Sequence, residues 1–522
     1  MDSPEQPSSP APTLPPCCAM GGILVLALSF SSCSAITPQP RDPDTLVRLA
    51  DDDIKGIDPQ SSSDLATMRV AADQFEGVTR LNGKGIAEPG LAQSWRTTAD
   101  GLTWQFDIRT GLRFPDGPAI SAASFVAVWK RLVDPRSPSP LQDLARPIAA
   151  MAAQGPHLLI VRLRHPAPHL PELMAHPALA ALPLHRPGWA TERPVTASGA
   201  YRLSEWVLND HIRLERNPAW HEGRAPIAGI EWKPVSDSLT GMRAFLGGQA
   251  DIAGEFPASR LRSLSARLGS AVHIAPYRGS YYFAFNTRRP PFNDVRIRRA
   301  LDLAVDRVWL SKSLIATGVS PATSVVPPQL LHDCTENSSA PSPLKERLEQ
   351  ARKLLREAGY GPTRPLHFSI RFNSDTDHKR AAVALAAMWA PLGVKADLLN
   401  SEASLHFASL RRGDFDLARS GWIGDVSAPE NFLSIHRSDA GPANYSGFAN
   451  SRFDAALDQA EQHANPQRRA CGMRKAAAIL AEDAPVLPLW FYVSKSLVSD
   501  HVAGWQDNLA NAHPSRTLWF KQ

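Results

Sequence analysis

Apolar and polar positions alternate through Leu366, Phe368, Ile370 and Phe372, which predicts a strand; helical spacing then runs to about Trp389, and Val394 to Leu398 predicts the next strand. Strand, helix and strand in that spacing imply a parallel sheet with right-handed crossovers. Upstream, Asp294 stands as the cap of a helix with Ile297, Ala300, Leu301, Ala304 and Val305 on one face, and Ser342-Pro343 opens another that stops at Gly359. Towards the amino end, Leu46 to Leu49 is a short apolar strand entering a turn at Asp51, Asp52 and Asp53. Thr98 to Gly117 alternates between DG and PDG turns and predicts a hairpin. Ser121 then caps a helix with Phe125, Val128, Trp129 and Leu132 on one face, ending near Asp134-Pro135, and a further alternating strand spans His211 to Glu215.

One strand differs from the rest. In DFDLARSGWIGD, Asp414 to Asp425, the apolar positions Phe415, Leu417, Trp422 and Ile423 read as a buried strand, yet it carries Arg419 and ends in a glycine-broken turn bearing Asp425. A cation and a carboxylate at one strand end suit a zwitterion such as a free peptide. Gly421 and Gly424 have no side chain to screen the backbone, so the strand edge is open to pairing with an extended ligand. Taken alone, Arg419 and Asp425 also fit ordinary surface pairs or a turn cap; the surrounding chain decides between these. In open sheets ligands bind beyond the carboxyl ends of strands, where this segment emerges.

The chain has 522 residues, 43% of them hydrophobic, enough for a large core and two or three domains. Its net charge of +5 is a small excess of 56 basic over 51 acidic residues, with no basic block interleaved with aromatics, which argues against nucleic acid as a partner. Met20 to Phe30 is apolar but too short to span a bilayer, and Ser31, Ser32 and Cys33 follow it. FSSC resembles the bacterial lipoprotein box, so Cys33 is expected to be acylated. Phe30 in place of the usual Leu, and the lack of Lys or Arg before the run, leave a plainly cleaved signal or a poorly defined amino-terminal tail as the other reading. Pro38 to Pro43 reads as a tether. Without Cys17 and Cys18, the mature chain keeps Cys334 and Cys471 beyond Cys33, too far apart in sequence to suggest a disulfide scaffold or a metal site.

No catalysis is expected: there is no GxSxG elbow, no HExxH and no Cys/His pairing that exceeds chance. Gly83-Lys84 fails as a phosphate loop because Gly85 follows the Lys and Gly77 is misplaced. Five histidines recur between His157 and His185, but Pro166 and Pro168 separate His165 from His169 and argue against a helical zinc pair. Neither cofactor nor metal is expected.

Along the chain, FEG, PGLAQSW, DGLTWQFDIRTGLRF-DG, WKRLVDP, SGAYRLSEW, RLERNPAW, PPFNDVRIRRAL, EAGY and ARSGW occur in an order that resembles the extracytoplasmic solute-binding proteins of peptide ABC importers, especially their oligopeptide-binding branch. The likeness runs from about Leu46 to the end. It implies an α/β, two-lobed periplasmic-binding-protein-like fold of the large class, the chain crossing between lobes more than once. The expected divisions are 1–43, signal and tether; 44–74, 184–278 and 494–522, lobe I; 75–183, an accessory subdomain; and 279–493, lobe II. In such proteins two lobes close over an extended peptide held chiefly by backbone segments. Carried onto this sequence, Gly421, Trp422 and Ile423 line one side and Ser63 to Leu65 the other, Asp425 holds the ligand ammonium, and Arg419 with His378 serves its carboxylate. Tyr277, Tyr282 and Tyr492 match aromatic cleft positions, with core packing as their other reading. Ala284, Ile315, Leu410 and Ala403 depart from a Glu, a Lys, an Arg and a Trp, and the family's disulfide positions hold Gly279 and Ile423. These changes would leave the ammonium end intact and thin out the carboxylate end.

The resemblance implies a monomer that binds short peptides outside the inner membrane and delivers them to a permease with cytoplasmic ATPase subunits, anchored by lipid on Cys33. The alternatives are a non-peptide solute (a metal chelate, heme or a murein-type peptide) or, in another class, a peptidase or other hydrolase.

Overall fold

The computed structural model describes residues 42–331, 334 and 342–521, so Cys33 and the leader fall outside the described residues. Its main feature is one mixed eleven-stranded sheet. Thr45–Ala50 lies between Gly229–Pro234 and Ile252–Ala253, parallel to both. Its burial pattern is almost uniform rather than alternating, as expected for a strand covered on both faces. Two long strands, Val272–Phe285 and Val486–Val498, pair antiparallel and carry the sheet from this half into the next. There Leu366–Asn373 runs parallel to both Val394–Ser401 and Leu417–Ile423. The parallel arrangement read from the sequence therefore holds for these three strands, while the sheet as a whole is mixed.

The helices form where the apolar spacing and the caps place them. Asp294 Oδ1 accepts the Arg296 amide at 2.9 Å to open Val295–Leu303, whose Ile297, Ala300 and Leu301 are buried. Thr376–Trp389 packs on the strands before and after it in the chain, Leu344–Glu357 packs on Val295–Leu303, and Phe368, Ile370, Leu385 and Trp389 share one core. A second core holds Trp232, Tyr201 and Val70 in the first half of the sheet.

A separate four-stranded antiparallel sheet carries its own core around Phe106, Phe125 and Leu159. Here one expectation needs correcting. Thr103–Ile108 pairs not with the segment after it but with Ala92–Thr97 before it, and with Leu158–Leu163 on its other edge. The reversal sits at the DG turn, where Asp100 Oδ1 accepts the Leu102 amide at 3.0 Å and Gly101 takes φ +71°. The segment after it is broken by Gly111 at φ +74° and forms only a bridge between Arg113 and Ala119. The helix Ala122–Leu132 is as expected, with Ser124 Oγ accepting the Ser121 amide at 3.1 Å.

The cysteines give a second correction: Cys334 and Cys471 form a disulfide, with Cα atoms 4.9 Å apart across a sequence separation of 137. Folding brings Cys334 against the helix Pro466–Asp483, where Arg474 also donates to the Leu331 carbonyl at 3.1 Å. Distance along the chain says nothing about such a closure.

Candidate ligand-binding site

The Leu417–Ile423 strand has one paired edge and one that becomes open partway along. Its pairing with Leu366–Asn373 ends at Arg371↔Ala418, whereas pairing with Val272–Phe285 continues to Gly279↔Ile423. Beyond that, the Gly424 amide donates to the Arg278 carbonyl at 2.9 Å. Because the bonded pairs of an antiparallel ladder alternate, this bond sets the phase: residues 422 and 420 face Val272–Phe285, and the backbone groups of Arg419, Gly421 and Ile423 face the other edge. The Arg419 carbonyl there accepts from His406 Nε2 at 2.9 Å. Gly421 and Ile423 thus present amides and carbonyls where no strand among the described residues lies.

That edge borders a cavity of about 1170 Å³ whose wall includes Ser63, Leu65, Tyr277, Arg419, Gly421, Trp422, Ile423, Asp425 and Tyr492. It is bounded by both halves of the main sheet and by the four-stranded subdomain, which contributes Leu144, His165, Glu172 and Leu173. Across from the strand, Asp64 caps the helix Leu65–Gln74 by accepting the Thr67 amide at 2.8 Å, which fixes Ser63 and Leu65 at the start of that helix.

Arg419 is held without a carboxylate. Its Nη2 donates to Tyr492 Oη at 3.0 Å, Nη1 reaches Asn373 Oδ1 at 3.4 Å, and the guanidinium lies 5.1 Å from the centre of the Tyr281 ring. Nε is buried with no hydrogen-bond partner, and no Asp or Glu among the described residues lies within salt-bridge distance of the group. Burial pulls its pKa down, but Tyr492 and Tyr281 hold it above the ordinary value. Tyr492 occupies its place because two glycines leave room: a Cβ on Gly421 would stand 2.9 Å from Tyr492 Oη, and one on Gly279 would stand 2.6 Å from its ring.

Asp425 is the complementary group. Its amide donates to Asn431 Oδ1 at 3.0 Å and its carbonyl accepts Arg278 Nη2 at 2.9 Å, so the backbone is fixed while the carboxylate is left to the cavity. Arg278 is the nearest cation, but it forms its ion pair with Glu172 and donates to the Gly424 carbonyl at 2.7 Å. Burial raises the Asp425 pKa, with Arg278 and Asn431 pulling against it. The next residues join the core of the four-stranded subdomain: Val426 and Ala428 are buried there, with Val426 also bordering the cavity.

Some expected site residues lie elsewhere. Tyr282 is buried in a core with Phe432 and edge-on to His436, off the cavity wall. Side chains alternate along the strand, and it is Tyr281 that stacks on Trp490, at 4.1 Å between centroids, and lies under Arg419. His378 stands behind this wall, with Nδ1 3.3 Å from Tyr281 Oη. Burial, and then the Arg419 charge, push its pKa down to about 3, so it braces Tyr281 as a neutral ring and supplies no cation. Ala284, Ile315 and Leu410 are core residues and Ala403 starts an exposed helix turn, so none of the four forms the cavity wall. Sequence reading missed Arg278, Glu172 and Asn431, whose partners come from distant segments.

An extended, solute-sized cavity between sheet halves joined by long strands, with opposite charges held unpaired on its wall, defines a two-lobed solute-binding protein. The chain belongs to the bacterial extracellular solute-binding proteins of family 5, whose middle region matches residues 87–444. It is 29% identical to the periplasmic oligopeptide-binding protein OppA of Escherichia coli, covering 90% of this chain and 91% of that one. It is also 29% identical to the probable deoxycholate-binding periplasmic protein YgiS of the same organism, covering 86% and 88%. Among solved structures it is similar to Haemophilus influenzae OppA in complex with RPPGFSPFR, at TM-score 0.83 and 26% identity over 92% of this chain and 100% of that one. No helix among the described residues is long and apolar enough to cross a membrane.

Proposed function

We propose that this protein is the extracytoplasmic capture component of an ABC importer, taking up short peptides by both termini and passing them to a membrane permease driven by cytoplasmic ATPase subunits. The observation that carries this reading is the arrangement on one cavity wall: a carboxylate without a cation at Asp425, a guanidinium without a carboxylate at Arg419, and the open backbone of Gly421 and Ile423 between them. A free peptide supplies the ammonium, the carboxylate and the amides that these groups lack. Ser63 and Leu65 border it from the opposite side, and Tyr277, Trp422 and Tyr492 pack along it. Binding and delivery involve no bond cleavage.

In this reading the protein works in the periplasm as a monomer, held to the membrane by lipid on Cys33, with lobe I formed by 44–74, 184–278 and 494–522, the subdomain by 75–183 and lobe II by 279–493.

A bile-acid reading, suggested by the likeness to YgiS, uses Arg419 but leaves Asp425 buried against a ligand that has no cation. Titration calorimetry with free di- to pentapeptides and with deoxycholate separates the two. Peptide binding in the micromolar range supports the peptide reading; binding of deoxycholate alone refutes it. Mass spectrometry of ligand released from the denatured protein identifies the natural cargo.

A further inference from the structure

The cavity continues past Asp425 into a chamber between the four-stranded subdomain and the helices Glu430–Leu433 and Ser451–Glu461. Its wall carries His165, His169, Glu430 and Glu461. His169 Nδ1 lies 3.2 Å from Glu430 Oε1, and Arg469 pairs with that same oxygen. Glu430 Oε2 is left buried with no hydrogen-bond partner, although Glu430 is only 7% exposed. The Glu461 carboxylate has no Lys or Arg within salt-bridge distance among the described residues; its nearest partner is His165 Nε2, 3.7 Å away and too far for a hydrogen bond. Arg469 donates to the Glu461 backbone carbonyl at 2.7 Å instead of to its side chain.

The charges at this end do not balance. Arg278 is matched by Glu172 and Arg469 by Glu430, while Asp439 is matched by Arg437 and Arg146. Asp425 and Glu461 remain. A ligand α-ammonium offsets the first, leaving the second in a largely buried chamber, which favours any ligand that brings another cation.

We propose that this chamber is a selectivity subsite for a basic side chain on the first residue of the peptide, with Glu461 receiving the Lys ammonium or Arg guanidinium and the orphaned oxygen of Glu430 assisting. Asp425 and Glu461 line the same cavity, so a long basic side chain is the kind that can carry a cation from the residue held at Asp425 towards Glu461. Burial, together with the Glu430 charge and against the pull of His165, Arg437 and Arg469, holds the Glu461 carboxyl above its usual range, a cost that an incoming cation relieves.

The inference rests on the peptide reading and is tested separately from it. Lys-Ala-Ala and norleucine-Ala-Ala, identical but for the side-chain ammonium, are titrated against the wild-type protein and Glu461→Gln at pH 7. The lysine peptide is expected to bind the wild type about tenfold tighter or more, the scale of one desolvated charge contact. In Glu461→Gln that ratio should fall to about threefold or less, with the norleucine peptide unaffected. A wild-type ratio near one overturns the subsite, whatever the variant does, and so does a high ratio that survives in Glu461→Gln. If the norleucine peptide binds and the lysine preference is absent, the peptide reading stands without the subsite; if neither peptide binds, both fall.

Discussion

Arg419 and Tyr492 meet at 3.0 Å, guanidinium to hydroxyl, on strands that do not pair with each other: both flank Val272–Phe285. The contact crosses the intervening strand above Gly421 and Gly279, whose missing side chains make room for the tyrosine ring. Gly421→Ala should therefore push Tyr492 aside and loosen Arg419 while leaving the fold intact. Calorimetry should show weaker peptide binding, with the loss largely absent for peptides amidated at the carboxyl end. An equal loss for free and amidated peptides would point to blockage of the strand edge instead.

Asp425→Ala should abolish the preference for a free amine. Removing one partner of an enclosed charge pair costs roughly 2–5 kcal/mol, or about 1.5 to 3.5 decades of affinity. Peptides with acetylated amines, already weak ligands, should change little. A variant that binds free peptides within about threefold of wild type contradicts the assignment.

The raised pKa of Asp425 gives binding a pH dependence of known sign. The ligand ammonium favours the ionised carboxylate, so binding below that pKa must first release a proton. Affinity should decline as pH falls through the acid range and level off above it. In Asp425→Asn this acid limb should vanish, as read by calorimetry from pH 4 to 7.

Stability should weaken on acidification for a different reason. Burial lowers His436 and His176 to about 4, and His378 to about 3, so each is folded as a neutral ring. The unfolded chain binds protons below about pH 6.5, and so the stability these groups provide is present above that pH and is lost as pH drops towards their folded values. Denaturant unfolding at pH 7 and pH 5 should show the loss, and His436→Gln should make it shallower.

Replacing Cys334 and Cys471 together with serine should lower stability by about 2–5 kcal/mol without altering peptide affinity, since neither residue borders the cavity. The melting temperature and calorimetric titration of the double variant check both halves. At the other end of the chain, metabolic labelling with palmitate should mark the wild type and not Cys33→Ser.

The elements were readable in the sequence wherever a local signal specifies them. Asp294 and Ser121 open helices as their positions suggest, and Leu366–Asn373 alternates as a strand must. Asp425 and Arg419 were legible too, because a charge beside glycines in an apolar strand is conspicuous, and both do border the cavity. What could not be read depended on register or on long-range closure. Tyr281 and Tyr282 are adjacent, and only the pairing of Tyr281 with Gly421 decides which ring faces Arg419. The pairing of Thr103–Ile108 with the strand before it, the Cys334–Cys471 bond and the Glu172–Arg278 pair are likewise set by distant segments. The same limit applies to His378, whose charge is lost to burial that no neighbouring residue announces.

Asp425 and Val426 are consecutive and both border the cavity, but Val426 is also packed in the core with Leu144, Leu173 and their neighbours. The segment therefore joins a polar arm and an oily arm at a common anchor, the Arg278 hydrogen bonds at 424 and 425. The carboxylate and the subdomain core are one peptide unit apart. Shortening the oily arm with Val426→Ala should thus speed ligand escape in stopped-flow dissociation, by loosening the packing beside the Asp425 backbone.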